Sequence, residues 1–290
     1  MDQPTTDRTA ARDSTSRTNL LFIHHSCGGQ LLADPGEQVG GERGTGERCI
    51  HASHPGGGGL RSLLEQAGFA VNQASYGSVV AEDTDICHWH AKFRDQMDRI
   101  LRTERQDALL PAGQTNEIVA FKSCYPNNGF AGRGREPGDP DSCEPTVANA
   151  RAAYRAILPY LAERPDVLFV AFTAPPLTRP KPAGVVGTVK GWFGGEPRSA
   201  ELAREFNTWL VDPEQGWLAG YEGANVAVFD YYDVLTGHGE SDWSVYPSRE
   251  GVDSHPTSEG NRRAAEAFLP FLLHAWQEFR SLPDDAPEAS

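Results

Sequence analysis

The chain has 290 residues, of which 39% are hydrophobic and 23% are charged, and its formal net charge is −14 at pH 7. This composition is typical of a globular protein with a sizeable core, and so acidic a chain is unsuited to nucleic acid, whose phosphates bind clustered Lys and Arg. No apolar run is long enough to cross a membrane or to act as a signal peptide, so we expect a cytoplasmic protein without a membrane partner.

Polar segments at the two ends frame the predicted fold. Residues 1–18 and 282–290 are predicted tails, which leaves a single domain over residues 19–281. Five apolar segments of this domain predict strands buried on both faces, because their apolar residues run together instead of alternating with polar ones. In chain order these segments are residues 19–25, 69–77, 116–123, 166–176 and 224–235.

Helices are predicted between the strands. Leu60, Leu63 and Leu64 begin a stripe with helical spacing that Gly68 ends. Further helices are predicted over residues 93–104, 147–161, 202–210 and 265–279, and prolines are expected to kink the second and the last of these. Strands that alternate with helices predict an α/β fold in which a parallel sheet is covered on both faces.

Candidate catalytic residues stand where the first strand ends and where the last helix begins. In an open parallel sheet the ligand site lies beyond the carboxyl ends of the strands. Ser26 directly follows the first strand, and Asp253 and His255 come just before the last helix. A serine hydroxyl attacks an ester only when a histidine removes its proton, and an aspartate orients that histidine. These three residues therefore form a complete candidate triad.

The placement of these residues resembles that of the SGNH (GDSL-type) hydrolases. The resemblance rests on Ser26 after the first strand, Gly77 after the second, an Asn-bearing loop after the third and an Asp/His-Pro segment before the C-terminal helix. It covers about residues 19–280. It implies a flavodoxin-like three-layer α/β/α sandwich with a central, mostly parallel five-stranded sheet, and ester hydrolysis through an acyl-serine intermediate. The chain departs from the family at His24-His25-Ser26, where Gly-Asp-Ser is usual, and at Val252, where the family places its aspartate.

The resemblance also implies which groups hold the oxyanion, and the position of other side chains indicates which of them contact the substrate. The main-chain N–H groups of Ser26 and Gly77 are the expected oxyanion donors, with the side chain of Asn127 added. The candidates for substrate contact stand near the predicted strand ends and are His25, Lys122, Ser123 and His88. The expected partner is a small-molecule or carbohydrate-like ester, and the expected chemistry uses no cofactor and no metal.

Two other classes of function stay open. Asp85, Cys87, His88 and His90 lie within six residues of one another and could hold a catalytic metal ion, although their spacing matches no established zinc motif. The departures from the family motif also fit a non-catalytic ligand-binding protein on a hydrolase scaffold. We favour the serine esterase, because a nucleophile, a base and an orienting acid are all present.

The cysteines bear on the redox environment of the protein. Their odd number and wide scatter favour mostly reduced thiols over a disulfide framework. A single pairing, such as Cys124 with Cys143, stays open at this point. The five residues are Cys27, Cys49, Cys87, Cys124 and Cys143.

Overall fold

The computed structural model describes residues 17–181 and 199–281, so most of the two predicted tails lies outside the described part of the chain. The strands are β1 (Thr18–Ile23), β2 (Asp34–Pro35), β3 (Val39–Gly40), β4 (His51–His54), β5 (Phe69–Ala74), β6 (Thr103–Arg105), β7 (Ala108–Leu109), β8 (Ile118–Lys122), β9 (Leu168–Phe172), β10 (Val226–Phe229), β11 (Pro247–Ser248) and β12 (Asp253–Pro256). The helices are α1 (Ser26–Leu32), α2 (Leu60–Gln66), α3 (Trp89–Arg102), α4 (Val147–Ala162), α5 (Ser199–Val211), α6 (Tyr231–Leu235) and α7 (Ser258–Ser281).

The central sheet has seven strands in the order β10-β9-β8-β1-β5-β6-β7. Five of them, β1, β5, β8, β9 and β10, are mutually parallel and correspond to the five predicted segments. Their spatial order is second, first, third, fourth and fifth along the chain, which is the flavodoxin-like order. The predicted α/β class is therefore confirmed.

The predicted number of strands is wrong, because β6 and β7 extend the sheet beyond β5. β6 is parallel to β5 through the pair Gln73 and Arg105, and β7 runs antiparallel to β6. The chain reverses at Gln106, where φ is 54°. The helix predicted over residues 93–104 runs two residues into β6, since α3 ends at Arg102. Strands of three and two residues carry too few side chains to show a hydrophobic pattern.

The sheet separates two hydrophobic cores. Successive side chains of β1 point to opposite faces, so Leu20 and Phe22 lie in one core and Leu21 and Ile23 in the other. Helices α1, α2 and α7 close the first core, and α3, α4 and α5 close the second. The result is three layers, with the sheet between two layers of helices. Within the described residues, no helix combines the length and the apolar character that a membrane span requires.

The fifth predicted strand is shorter than expected. β10 ends at Phe229, and residues 231–235 form α6 instead of continuing the strand. Asp230 causes this change, because its carboxylate accepts a hydrogen bond of 2.9 Å from the N–H of Asp233 and so caps the helix. Helices α4 and α7 both continue through the prolines inside them.

Candidate active site

The candidate nucleophile lies where the first strand passes into the first helix. β1 ends at Ile23, and the N–H of His24 still donates to the carbonyl of Ala74 on β5, at 3.0 Å. α1 then begins at Ser26, whose side chain is partly exposed at the carboxyl end of the sheet. The main-chain N–H of Ser26 has no acceptor within α1, since the first turn of a helix leaves its N–H groups unpaired.

The structure brings the three predicted triad residues together. Nε2 of His255 lies 2.8 Å from Oγ of Ser26, although the two residues are 229 positions apart in the chain. Nδ1 of His255 lies 2.6 Å from Oδ1 of Asp253. A carboxylate only accepts hydrogen bonds, so Nδ1 carries the proton and Nε2 is left to accept one from the serine hydroxyl. This is the order of hydrogen bonds that activates a serine nucleophile.

Asp253 is held as a carboxylate by its neighbours. It opens β12, and the same Oδ1 also accepts the main-chain N–H of His255, at 3.0 Å. Burial acts to raise the pKa of Asp253, but the hydrogen bonds from the backbone and ring of His255 outweigh it and place that pKa below its ordinary value. Arg249 adds a weaker contact, with its Nε 3.4 Å from Oδ2. Asp253 therefore stays ionised at neutral pH.

An open groove of about 840 Å³ runs beside His255. Residues that the sequence did not single out for this role lie along it, including Gln30, His54 and Tyr125. The ring of Tyr125 meets that of His255 edge to face, with 5.1 Å between their centres. Helical spacing could have identified Gln30, because it stands one turn after Ser26 on α1. Nothing in the local sequence marks the other two as neighbours of His255.

Two of the expected oxyanion donors have other acceptors. The N–H of Gly77 donates to Oε2 of Glu82 at 2.5 Å, in an exposed turn. The side-chain amide of Asn127 donates to Asp85 at 2.8 Å and to the carbonyl of Cys124 at 3.2 Å. The predictions for Gly77 and Asn127 are therefore corrected: both groups hold loops in place. The main-chain N–H of Ser26 is the predicted donor that keeps a suitable position.

The predicted substrate contacts are also corrected, because three of the four side chains are buried. Lys122 and Ser123 are fully buried; Nζ of Lys122 donates to the carbonyl of Ser123, and Oγ of Ser123 accepts from the indole of Trp89. Nε2 of His25 donates to the carbonyl of Ala81 at 2.8 Å. The fourth residue, His88, lies at a disulfide described below. None of these four lines the groove beside His255.

Three of the five cysteines are free, as the prediction of mostly reduced thiols expects, and two are joined. Cys87 and Cys143 form a disulfide, so the pairing of Cys143 left open above is with Cys87 and not with Cys124. The pair joins the turn before α3 to the loop before α4, across 56 residues of sequence. No local pattern signals a pairing over that distance. Cys27, Cys49 and Cys124 are free.

The four candidate metal ligands do not converge on one point. The sulfur of Cys87 is in the disulfide, Asp85 accepts from Asn127, and Nδ1 of His90 lies 2.8 Å from Asp141. Cys87, His88 and Cys143 do place ligand atoms within 4.8 Å of one another. Zinc binds thiolates, however, and these two sulfurs provide none while they are joined.

Comparison with models of known protein families and with curated proteins found no match to this chain. The interpretation of function therefore depends on the geometry of the site.

Proposed function

We propose that the protein hydrolyses esters through an acyl-serine intermediate. The observation that carries the proposal is the continuous chain of hydrogen bonds from Ser26 Oγ to His255 Nε2 and from His255 Nδ1 to Asp253 Oδ1, at 2.8 and 2.6 Å. Its position at the carboxyl end of a parallel sheet supports the proposal, because ligands of such sheets bind there.

Each residue has a role in the proposed reaction. His255 takes the hydroxyl proton of Ser26 as the oxygen attacks the ester carbonyl, and Asp253 stabilises the imidazolium that forms. The main-chain N–H of Ser26 is placed to stabilise the developing oxyanion. His255 then gives the proton to the leaving alcohol, and the second half of the reaction repeats these steps with water in place of the serine.

The proposed substrate is a small-molecule ester. The groove beside His255 is lined by Gln30, His54 and Tyr125, which offer an amide, an imidazole and a phenol to a polar substrate. The resemblance to SGNH hydrolases enters here as part of the proposal. It is supported by the order of the five parallel strands and by the order of Ser26, Asp253 and His255 along the chain.

The test measures hydrolysis of p-nitrophenyl acetate by the wild-type protein and by Ser26→Ala and His255→Ala. A general acid–base partner contributes roughly 10²–10⁴-fold to the rate, so each variant should lose at least that much activity. Ser62→Ala and His274→Ala are the matched controls, because both side chains lie away from the triad on helices α2 and α7. Both should keep wild-type activity.

Repeating the assay with EDTA distinguishes the serine mechanism from a metal-dependent one. We expect activity to survive EDTA. Activity that EDTA removes, or that Ser26→Ala retains, would contradict the serine mechanism and favour the residues around Cys87. A folded wild-type protein that binds esters without turning them over would instead support a non-catalytic binding protein.

A further inference from the structure

Two free cysteines lie directly beneath the candidate nucleophile. Sγ of Cys124 is 3.6 Å from Oγ of Ser26, and Sγ of Cys27 is 3.3 Å from Sγ of Cys124. Cys27 follows Ser26 on α1, and Cys124 stands two residues beyond the end of β8. Cys27 is completely buried and Cys124 is 6% exposed. The proposed ester hydrolysis uses neither thiol.

A buried lysine makes this pair electrostatically unusual. Lys122 is fully buried, and its Nζ donates to the carbonyl of Ser123 at 3.0 Å. In residues 17–181 and 199–281, no carboxylate lies within ion-pair distance of it. A buried positive charge is costly without a negative partner, and the nearby thiols are groups that can supply one.

The two thiols differ in how easily they ionise. The hydrogen bond shared with Cys27 and the charge of Lys122 hold the pKa of Cys124 well below its ordinary value, although burial opposes this. Burial and the neighbouring sulfur raise the pKa of Cys27. Cys124 is also the sulfur that is partly accessible and in contact with Ser26, whereas Cys27 is completely buried behind it. Position therefore makes Cys124 the sulfur that an oxidant meets first.

We propose that Cys27 and Cys124 form a redox-active dithiol site, which a small peroxide oxidises to a disulfide beneath Ser26. The regulation of ester hydrolysis that follows from this rests on the proposed function, whereas the dithiol site itself does not. The sulfur atoms already lie in contact, and they must approach by about 1.3 Å to reach the length of a disulfide bond. The partly exposed Ser26 marks the route by which a molecule as small as hydrogen peroxide reaches Cys124.

The proposed oxidation has two steps, formation of a sulfenic acid and then of the disulfide. The thiolate of Cys124 attacks one oxygen of hydrogen peroxide; the O–O bond breaks, a sulfenic acid forms, and the hydroxide leaves as water after taking a proton. The sulfur of Cys27 then attacks the sulfenic sulfur, the S–O bond breaks, and a second water leaves with the thiol proton. Peroxide is reduced, the two thiols are oxidised, and a small dithiol such as dithiothreitol reverses the change.

Oxidation should lower ester hydrolysis because Cys27 and Ser26 are neighbours on α1. Pulling Cys27 towards Cys124 moves the first turn of the helix and removes the contact between Ser26 and the Cys124 sulfur. The 2.8 Å pair of Ser26 and His255 is then no longer aligned. A misplacement of about 1 Å at a reacting group can cost on the order of 10²-fold in rate.

The test maps disulfides by mass spectrometry in the purified wild-type protein before and after hydrogen peroxide. We expect the free thiols to fall from three to one, with a new bond between Cys27 and Cys124, and with Cys49 unchanged. Cys49→Ala is the matched control and should form the same bond. Cys124→Ala should form no new intramolecular disulfide. A bond that includes Cys49, oxidation of Cys124 to sulfinic or sulfonic acid alone, or no reaction in the wild type would overturn the proposal.

An activity measurement on the same samples tests the regulation. We expect peroxide to slow ester hydrolysis at least tenfold, with recovery in dithiothreitol, in the wild type and in Cys49→Ala. A new disulfide without any change in rate would overturn the regulatory part. If the wild-type protein hydrolyses no ester at all, the proposed function fails, and the disulfide map still decides whether the dithiol site exists.

Discussion

Three histidines, two directly after β1 and one in β12, differ in the partners of their ring nitrogens. Nδ1–H of His255 points at a carboxylate, which leaves Nε2 basic and directed at Ser26. His25 donates its Nε2–H to the carbonyl of Ala81, and its ring stacks on Tyr76 with 3.5 Å between the ring centres. His24 uses Nδ1–H for the carbonyl of His25. The Nε2 atoms of the last two rings face Ala81 and Gln73 and not Ser26, so neither is placed to act as His255 does.

His24 should make the stability of the protein depend on pH. Complete burial lowers its pKa from 6.5 to about 3. Between these values the unfolded chain binds a proton that the folded protein does not, so the free energy of unfolding is highest above pH 6.5 and falls as the pH drops towards 3. At pH 5 this loss is about 2 kcal/mol, at 1.36 kcal/mol for each pH unit.

Urea unfolding at pH 7 and pH 5 checks this prediction. In His24→Gln, the difference in unfolding free energy between the two pH values should shrink by about 2 kcal/mol. His274→Gln is the control, since that ring is exposed, and it should leave the difference unchanged. An equal pH dependence in wild type and His24→Gln would show that other groups cause it.

At the scale of elements, α1 packs so closely that it requires glycine. A Cβ added to Gly29 would lie 1.9 Å from the main-chain oxygen of Cys49, and one added to Gly28 would lie 2.4 Å from Cβ of His24. A backbone oxygen cannot rotate away as a flexible side chain can. Gly29 therefore allows α1 to lie against the segment before β4, and Gly28 allows it to pack on His24.

Gly29→Ala should displace α1 and destabilise the protein by about 1–3 kcal/mol, the usual cost of overpacking. Ester hydrolysis should fall as well, because Ser26 moves with the helix. Gly132→Ala is the matched control, since a Cβ there has no neighbour within 4 Å and the residue needs no positive φ. Denaturant unfolding and the rate with p-nitrophenyl acetate are the two measurements. A Gly29→Ala protein as stable and active as the control would contradict this packing argument.

Some strands and helices of this fold can be predicted from the sequence, and others cannot. The five parallel strands were predictable because each contains at least three apolar residues in a row. β6 and β7 were not, since their pairing with β5 depends on the turn at Gln106. α6 was predicted as strand because its residues are apolar, whereas the capping bond from Asp233 to Asp230 decides the conformation.

At the scale of the whole molecule, topology explains why the triad was predictable and its surroundings were not. Ser26 and His255 come from opposite ends of the chain, but the rule for parallel sheets places both at the same edge. The partners of Gly77 and Asn127 depend on where two loops fold, and no strand or helix determines that. The burial of Lys122 is likewise a property of the assembled sheet and not of its own segment.

The disulfide between Cys87 and Cys143 affects the stability of the whole molecule, because it joins two segments that are 56 residues apart in the chain. Closing a loop of that length restricts the unfolded chain and contributes up to about 4 kcal/mol by the chain-entropy relation. The double variant Cys87→Ala/Cys143→Ala should therefore unfold at a lower urea concentration than the oxidised wild type. It should still hydrolyse p-nitrophenyl acetate, since neither sulfur touches the triad. Cys49→Ala is the control, because it removes a cysteine without breaking the disulfide, and its urea midpoint should equal that of the wild type. Equal midpoints for all three proteins would mean that this loop is already restricted in the unfolded chain.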